Sequence, residues 1–539
     1  MSNEYEHWRE YFKQKSFKER LIQLKNLLKN KKVVLYCNGI FFNALADSVK
    51  LEDYFDITGI SDIRYETTDS KKYKNFVCIK PSELKNKNID IILITTPNPV
   101  SIKKFLKENN LTGNETNIIE LVNSDILFCS QDIAKTKQNY QKVLKKLQNK
   151  YKSGEKIRAL FVCEENPKWG YQFVYEQMKQ DPCFEVMPVL LFPVVTQSRI
   201  DFTQKENIEF FKAQGIEALD GYDYEKEKNK EIASFQPDLV FYQQPWYLHG
   251  KNHPKSVSDY ALTMMIPYGY TTLNPNRWGT DSVKDVYSSL WTFFSESPYH
   301  NKFYQQTTGL KDGENLVATG SPKMDYYRQP ANKKVEKLWK SSGKRIIWAP
   351  HHSILSQGLG MSNFPEQYKF FLEFAKLHQE YSFVLKPHPA LRAMCISTGF
   401  MKEEEFDTYI NEWQNLKNAV VYTQGNYFDI FKTSDVLITD CSSFLAEYFP
   451  SEKPIIFLDR EGRAAFDEFG EKIKQGFYRI DNTENLEPLL EKLLQQENDS
   501  LKSIRKEILK NIFYRTQTSA SSNIITFLKK KLITDNFTE

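Results

Sequence analysis

The sequence predicts an α/β protein of three successive Rossmann-like units, a small N-terminal domain followed by two larger lobes. Three observations lead there. The chain has 539 residues, more than one hydrophobic core normally organises. Short runs of β-branched residues and leucine recur along it, each bounded by turn residues and followed by a helical pattern. That pattern restarts twice, after Gly154 and after Gly343.

The first unit spans 1–130. Residues 1–30 read as one charged amphipathic helical lead, with Leu21, Ile22, Leu24, Leu27 and Leu28 at helical spacing. Strands are expected at 33–36, 57–60 and 89–95, with Cys37-Asn38-Gly39 opening a helix to about 48. The turn after the first strand is where a G-x-G-x-x-G would lie, and Asp62 follows at a suggestive distance. Gly39 alone is present, so a pyrophosphate could not approach the backbone closely. A structural or partner-binding domain is the expectation.

Residues 131–156 are polar, lysine-rich and free of proline, a connecting helix that breaks at Ser153-Gly154. The second unit, 157–335, carries strands at 157–162, 185–191 and 238–242 and a helix at 169–179. The third, 340–539, carries strands at 345–348, 382–385, 419–422, 436–439 and 454–458, then a helical, lysine-rich segment after Glu484. Two doubly wound units of this size meeting at a cleft place ligands at the carboxyl ends of their strands.

Composition narrows the classes. Lys plus Arg number 73 and Asp plus Glu 69, a formal charge of +4, so nothing demands a nucleic-acid partner. Seven cysteines without C-x-x-C spacing fit a reduced compartment. The charged N-terminus does not read as a secretory signal. The longest apolar stretch, near 183–195, is interrupted by Glu185, Pro188 and Pro193 and falls short of the roughly 20 residues that span a bilayer. A cytoplasmic protein is expected, with any membrane contact peripheral.

Three stretches carry chemistry. In Ser434-Asp-Val-Leu-Ile-Thr-Asp-Cys-Ser-Ser443 a strand runs into Asp440 and the paired serines Ser442 and Ser443 at a helix start. Hydroxyls and unpaired N–H groups there suit phosphate oxygens; a plain helix cap is the alternative. Lys386-Pro387-His388-Pro389 follows a strand, and its prolines limit the backbone so that Lys386 and His388 can face an anion. His351 and His352 follow Ala349-Pro350. Neighbours in an extended segment point apart, so one is expected to touch ligand and the other to be structural.

The ordered set Gly320-Ser-Pro-Lys-Met-Asp325, Ile346-Ile-Trp-Ala-Pro350, Lys386-Pro-His-Pro389, the 434–443 stretch, Lys453-Pro-Ile-Ile-Phe457 and Gly476-Phe-Tyr478 resembles the CDP-glycerol glycerophosphotransferase family. The resemblance covers roughly the final 220 residues. It implies a GT-B fold, with His388 and the paired serines holding the phosphates of a nucleotide donor and Glu447 near its ribose. The implied reaction moves a polyol phosphate from a CDP-activated donor to a hydroxyl of a cell-surface polymer or lipid-linked acceptor, releasing CMP. No cofactor is implied beyond that donor, and no Asp-x-Asp motif or other metal cluster is evident in the sequence.

One departure matters. Where the family carries Trp-His-Gly, with a histidine suited to act as base, this chain has Met265-Ile266-Pro267-Tyr268-Gly269. The attacking hydroxyl must still lose its proton. Glu164 and Glu165, after the lobe's first strand, are the leading candidates, with His249 or His253 behind them. Two alternative functions stay open: a glycosyltransferase using a CMP- or UDP-sugar, and a non-catalytic scaffold of a capsule-assembly complex.

Overall fold

The computed structural model describes residues 3–533 apart from 14, 69, 97–101, 104, 107–108, 110, 112–116, 122–129, 194, 197–198, 201–203, 227, 247, 249, 274–280, 309, 312, 355–358, 424–425 and 514–516. His249 lies outside the described residues.

The expected single N-terminal helix is two, α1 (Asn3–Phe12) and α2 (Lys15–Leu27). They fold over a sheet of β1 (Lys32–Tyr36), β2 (Asp56–Ser61), β3 (Lys72–Tyr73), β4 (Phe76–Ile79), β5 (Ile91–Ile94) and β6 (Asn117–Glu120), in the order β3-β4-β2-β1-β5-β6. Helix α3 (Ile40–Ser48) follows β1. Asp62 is committed within this unit: its carboxylate accepts the Asn38 N–H at 3.0 Å and Arg64 at 2.7 and 3.0 Å. It therefore ties the turn after β1 to the end of β2.

Helix α4 (Ser130–Lys152) leads into the middle sheet. Its strands are β7 (Ile157–Cys163), β8 (Phe184–Val186), β9 (Val189–Leu191), β10 (Ala218–Asp220), β11 (Leu239–Tyr242), β12 (Leu262–Met265), β13 (Thr292–Ser295) and β14 (Leu316–Ala318). The order is β10-β9-β7-β11-β12-β13-β14, with β8 beside β7, and every pairing is parallel. The strand expected over 185–191 is two, because Met187-Pro188 interrupts it and proline has no N–H for a ladder. Helix α5 (Gln172–Gln180) covers one face.

The third sheet comprises β15 (Arg345–Ala349), β16 (Ser382–Leu385), β17 (Ala419–Val421), β18 (Val436–Thr439), β19 (Ile455–Leu458) and β20 (Tyr478–Ile480), ordered β17-β16-β15-β18-β19-β20 and wholly parallel. Strands buried on both faces read as unbroken apolar runs, which is why this unit is the plainest in the sequence. On one face α6 (Phe364–Leu377) lays Phe371 against Trp348, with ring centroids 4.1 Å apart. Burying a side chain of that size is worth about 1.5–3 kcal/mol. The short helix α7 (Ser442–Tyr448) follows β18.

The chain then crosses back. Helix α8 (Ala520–Ile533) buries Ile524, Ile525, Leu528 and Leu532 in the core of the middle unit, with Leu144 and Leu147 of α4 and Val174 and Met178 of α5. The expectation that 340–539 forms one lobe is corrected at this helix, whose apolar stripe is completed by the other sheet. The two lobes meet along a seam in which Asp467 N–H donates to Thr272 O at 3.0 Å and Leu273 bridges to Phe466.

Candidate functional site

Strand order explains why distant residues meet. Strand β15 lies between β16 and β18, so the loops carrying His351, Lys386 and Asp440 leave three neighbouring strands at the same end. Lys386 N–H donates to Trp348 O at 2.8 Å, His388 N–H to Pro350 O at 3.1 Å, and the Thr439 hydroxyl to Ala349 O at 2.6 Å. The imidazoles converge: ring centroids are 4.2 Å apart for His351 and His352, 4.1 Å for His352 and His388, and 5.2 Å for His351 and His388. The expectation that His351 and His352 point apart is therefore corrected. His352 sits at a bend past the strand end, where side chains no longer alternate between faces.

Two of the rings are fixed by neighbours. His351 Nδ1 accepts the Ser353 N–H at 3.1 Å, and His388 Nδ1 accepts the Ala390 N–H at 3.1 Å. An N–H donor requires a lone pair, so each neutral ring carries its proton on Nε2. Both proton affinities lie well below the ordinary histidine value, His351 through burial and then His352, His388 through burial and then the charges of His352, His351, Lys386 and Lys168. Neutral rings presenting Nε2–H suit an anion. Ligand atoms of the three histidines lie within 4.8 Å of one another, the one grouping among the described residues that could hold a metal ion. Binding through Nε2 would require moving the proton to Nδ1, against an N–H donor, in two of the three rings.

Lys386 is 4% exposed. Its ammonium lies 5.7 Å from the centroid of the Tyr427 ring and forms no ion pair among the described residues. Burial pulls its pKa down to about 8. Asp440 has a positioning geometry instead: its carboxylate accepts the backbone N–H groups of His351 and Asn363, both at 2.6 Å. Burial outweighs those donors and pushes its pKa up to about 7. Helix α7 begins at Ser442, with Cys441 as the residue before it and no side-chain cap. The serine hydroxyls are thus not spent on capping. Ser443 Oγ lies 3.4 Å from Cys441 Sγ.

Glu447 lies on the seam. It pairs with Lys323 at 3.2 Å and accepts from the Tyr427 hydroxyl, both partners being buried. Gly269 sits so close that a Cβ there would come within 3.1 Å of Glu447 Oε1. The family resemblance implies a place near the ribose for Glu447; its counter-charge Lys323 leaves no local signal, because the two are 124 positions apart.

On the facing lobe, β11 lies between β7 and β12. Gln243, after β11, accepts both the Glu164 and Glu165 N–H groups through Oε1, at 2.9 and 3.0 Å, and returns Nε2 to Glu165 O at 2.8 Å. This clamp separates the two carboxyls. Glu164 is buried with neither oxygen hydrogen-bonded, and burial followed by the Glu165 charge pushes its pKa up to about 8. Glu165 accepts from Lys168, whose ammonium also donates to Gln244 at 3.1 Å. A third carboxyl, missed in the sequence, is Glu296 after β13. It is buried, accepts from the Tyr304 hydroxyl at 3.1 Å, and burial raises its pKa to about 8. Its position directly after an apolar strand was the available signal. His253 packs away from these groups, 3.4 Å from Asp285.

Two facing Rossmann-like lobes, with cationic and imidazole donors at the strand ends of one and carboxyls at those of the other, define a protein of the GT-B class. The chain belongs to the CDP-glycerol:poly(glycerophosphate) glycerophosphotransferase family, whose model matches residues 242–527. It is 27% identical over 164 residues to a teichoic acid poly(ribitol-phosphate) polymerase of Bacillus spizizenii, covering 29% of this chain and 24% of that protein. The matched segment thus spans about a quarter of that relative's length. Among solved structures it is similar to the wall teichoic acid polymerase TagF (14% identity, TM-score 0.48, 75% of this chain and 98% of that one). It is also similar to the UDP-GlcNAc 2-epimerase of Neisseria meningitidis (13%, 0.46, 69% and 100%). No helix among the described residues is long and apolar enough to cross a membrane.

Proposed function

We propose that this protein transfers a polyol-phosphate group from a CDP-activated donor to a hydroxyl of a cell-surface polymer or lipid-linked acceptor, releasing CMP. The observation that carries this reading is Lys386, an ammonium buried with no carboxylate partner among the described residues, beside two imidazoles that present Nε2–H. A buried cation without a counter-charge is costly, and a bound diphosphate supplies one. Membership of the glycerophosphotransferase family supports the donor class.

In this mechanism the acceptor oxygen attacks the phosphorus that bears the polyol. The bridge to the other phosphorus breaks and CMP leaves with the bonding electrons. Such transfers depend on positioning and on stabilising spread negative charge. Lys386, His388 and the Ser442 and Ser443 hydroxyls surround that charge, with His351 and His352 beside them. Asp440 keeps the His351 loop in place.

The test is a donor panel of CDP-glycerol, CDP-ribitol, a CMP-sugar and a UDP-sugar, with released nucleotide measured for the wild type and His388→Ala. CMP release from a CDP-polyol, reduced ~10²-fold or more in the variant, is expected. Turnover confined to a CMP- or UDP-sugar contradicts the donor assignment, and no turnover of any donor contradicts the enzyme reading.

A further inference from the structure

Tyr268 stands where the family resemblance implies a histidine, and of the residues around it Glu165 and Lys168 come from before residue 242, where the family match begins. Resting on the donor reading above, we propose that Glu165 is the catalytic base for the acceptor hydroxyl, that Lys168 positions it, and that Trp246 and Tyr268 form the wall receiving the acceptor's polyol.

Four observations converge on this. The Gln243 clamp fixes the turn after β7 through three hydrogen bonds, so the direction of the Glu165 side chain is set by backbone. Lys168 holds one carboxylate oxygen, while Glu165 Oε2 has no hydrogen-bond partner among the described residues and the side chain keeps 15% of its surface exposed. Glu164 is 1% exposed and cannot reach a substrate in this arrangement. The Lys168 ammonium lies 5.5 Å from the Trp246 ring centroid and 5.2 Å from that of Tyr268, the two rings being 6.2 Å apart. Ring faces of this kind receive the C–H faces of polyols, and the ammonium over them accommodates a phosphodiester neighbour.

The site also faces the right way. A Cβ at Gly269, next to Tyr268, would come within 4.0 Å of Ser443 Cβ, so the Tyr268 wall stands against the serine pair of the donor lobe. In the step, the acceptor O–H bond breaks as its oxygen bonds to phosphorus, the proton passes to Glu165 Oε2, and the phosphorus–oxygen bond to CMP breaks with its electrons on CMP. Tyr268 itself is a poor base, because burial pushes its pKa up and keeps the phenol neutral.

The experiment measures steady-state CMP release with CDP-glycerol or CDP-ribitol and a glycerol-phosphate oligomer as acceptor, and CMP affinity by calorimetry as a check that each variant is folded. Glu165→Gln should lower kcat by ~10²–10⁴-fold with CMP affinity unchanged within about threefold. Lys168→Met should raise the acceptor KM by about tenfold with a smaller loss in kcat, and Lys168→Arg should recover part of it. Glu165→Gln turning over at the wild-type rate overturns the proposal, as does a larger loss in Glu164→Gln than in Glu165→Gln. A wild type that releases no CMP from either donor sinks the donor reading together with this one, whereas an active Glu165→Gln beside a silent His388→Ala sinks this one alone.

Discussion

The two lobes place opposite chemistry at equivalent strand ends. The donor lobe holds Lys386, His351 and His388 buried, neutral or without counter-ion, whereas the acceptor lobe holds Glu164 and Glu296 buried and protonated at neutral pH. Desolvation does both, since burial disfavours whichever form is charged. Each lobe thus stores unmet electrostatic demand, cationic on one side and acidic on the other. The single buried ion pair that crosses the seam, Lys323 with Glu447, is where the two demands are matched in the described residues.

Breaking that pair gives the largest expected stability effect. Lys323→Met leaves Glu447 buried without its cation and should lower unfolding free energy by about 3–5 kcal/mol, measured by chemical denaturation. Adding Glu447→Leu should restore most of the loss. A single variant within about 1 kcal/mol of wild type would mean that water or another cation already serves Glu447.

A smaller effect sharpens the acidic side. Glu164 and Glu296 bind their protons more tightly folded, near pH 8, than unfolded, near the ordinary 4.5. Between those values the folded state holds more protons, so stability is full at the acid end and falls as pH rises. Each group contributes about 1.4 kcal/mol per pH unit. The buried histidines act oppositely, but only below about pH 6.5. From pH 6.5 to 8 the denaturation midpoint should therefore fall, with Asp440 and Asp467, raised to about 7, adding to the fall in the lower part of that range, and Glu296→Gln should flatten the slope by roughly a third. An unchanged slope would show that Glu296 is ionised when folded.

What could be read in advance follows the same division. Five of the six strands of the third sheet were legible because strands buried on both faces are continuous apolar runs, and because Pro387 and Pro389 mark the turn that carries His388; β20, Tyr-Arg-Ile, is no such run and went unread. The middle sheet was less so: β12 to β14 are short and lie among polar turns, and Glu296 went unremarked with them. The convergence of His351 with His352 was missed because a bend, not a strand, carries the second ring. Contacts made by packing at long separation, such as Lys323 with Glu447 or α8 on α4, leave no local trace in sequence. Lys168 was hidden in a charged turn whose partners, Gln244, Trp246 and Tyr268, come from two later strand ends.

The central claim is that an anionic donor completes the buried cation at Lys386. Calorimetric titration with CDP-glycerol of the wild type and Lys386→Ala tests it most directly. The account predicts saturable binding by the wild type and an affinity lower by ~10²-fold in the variant; equal affinity in both would contradict it.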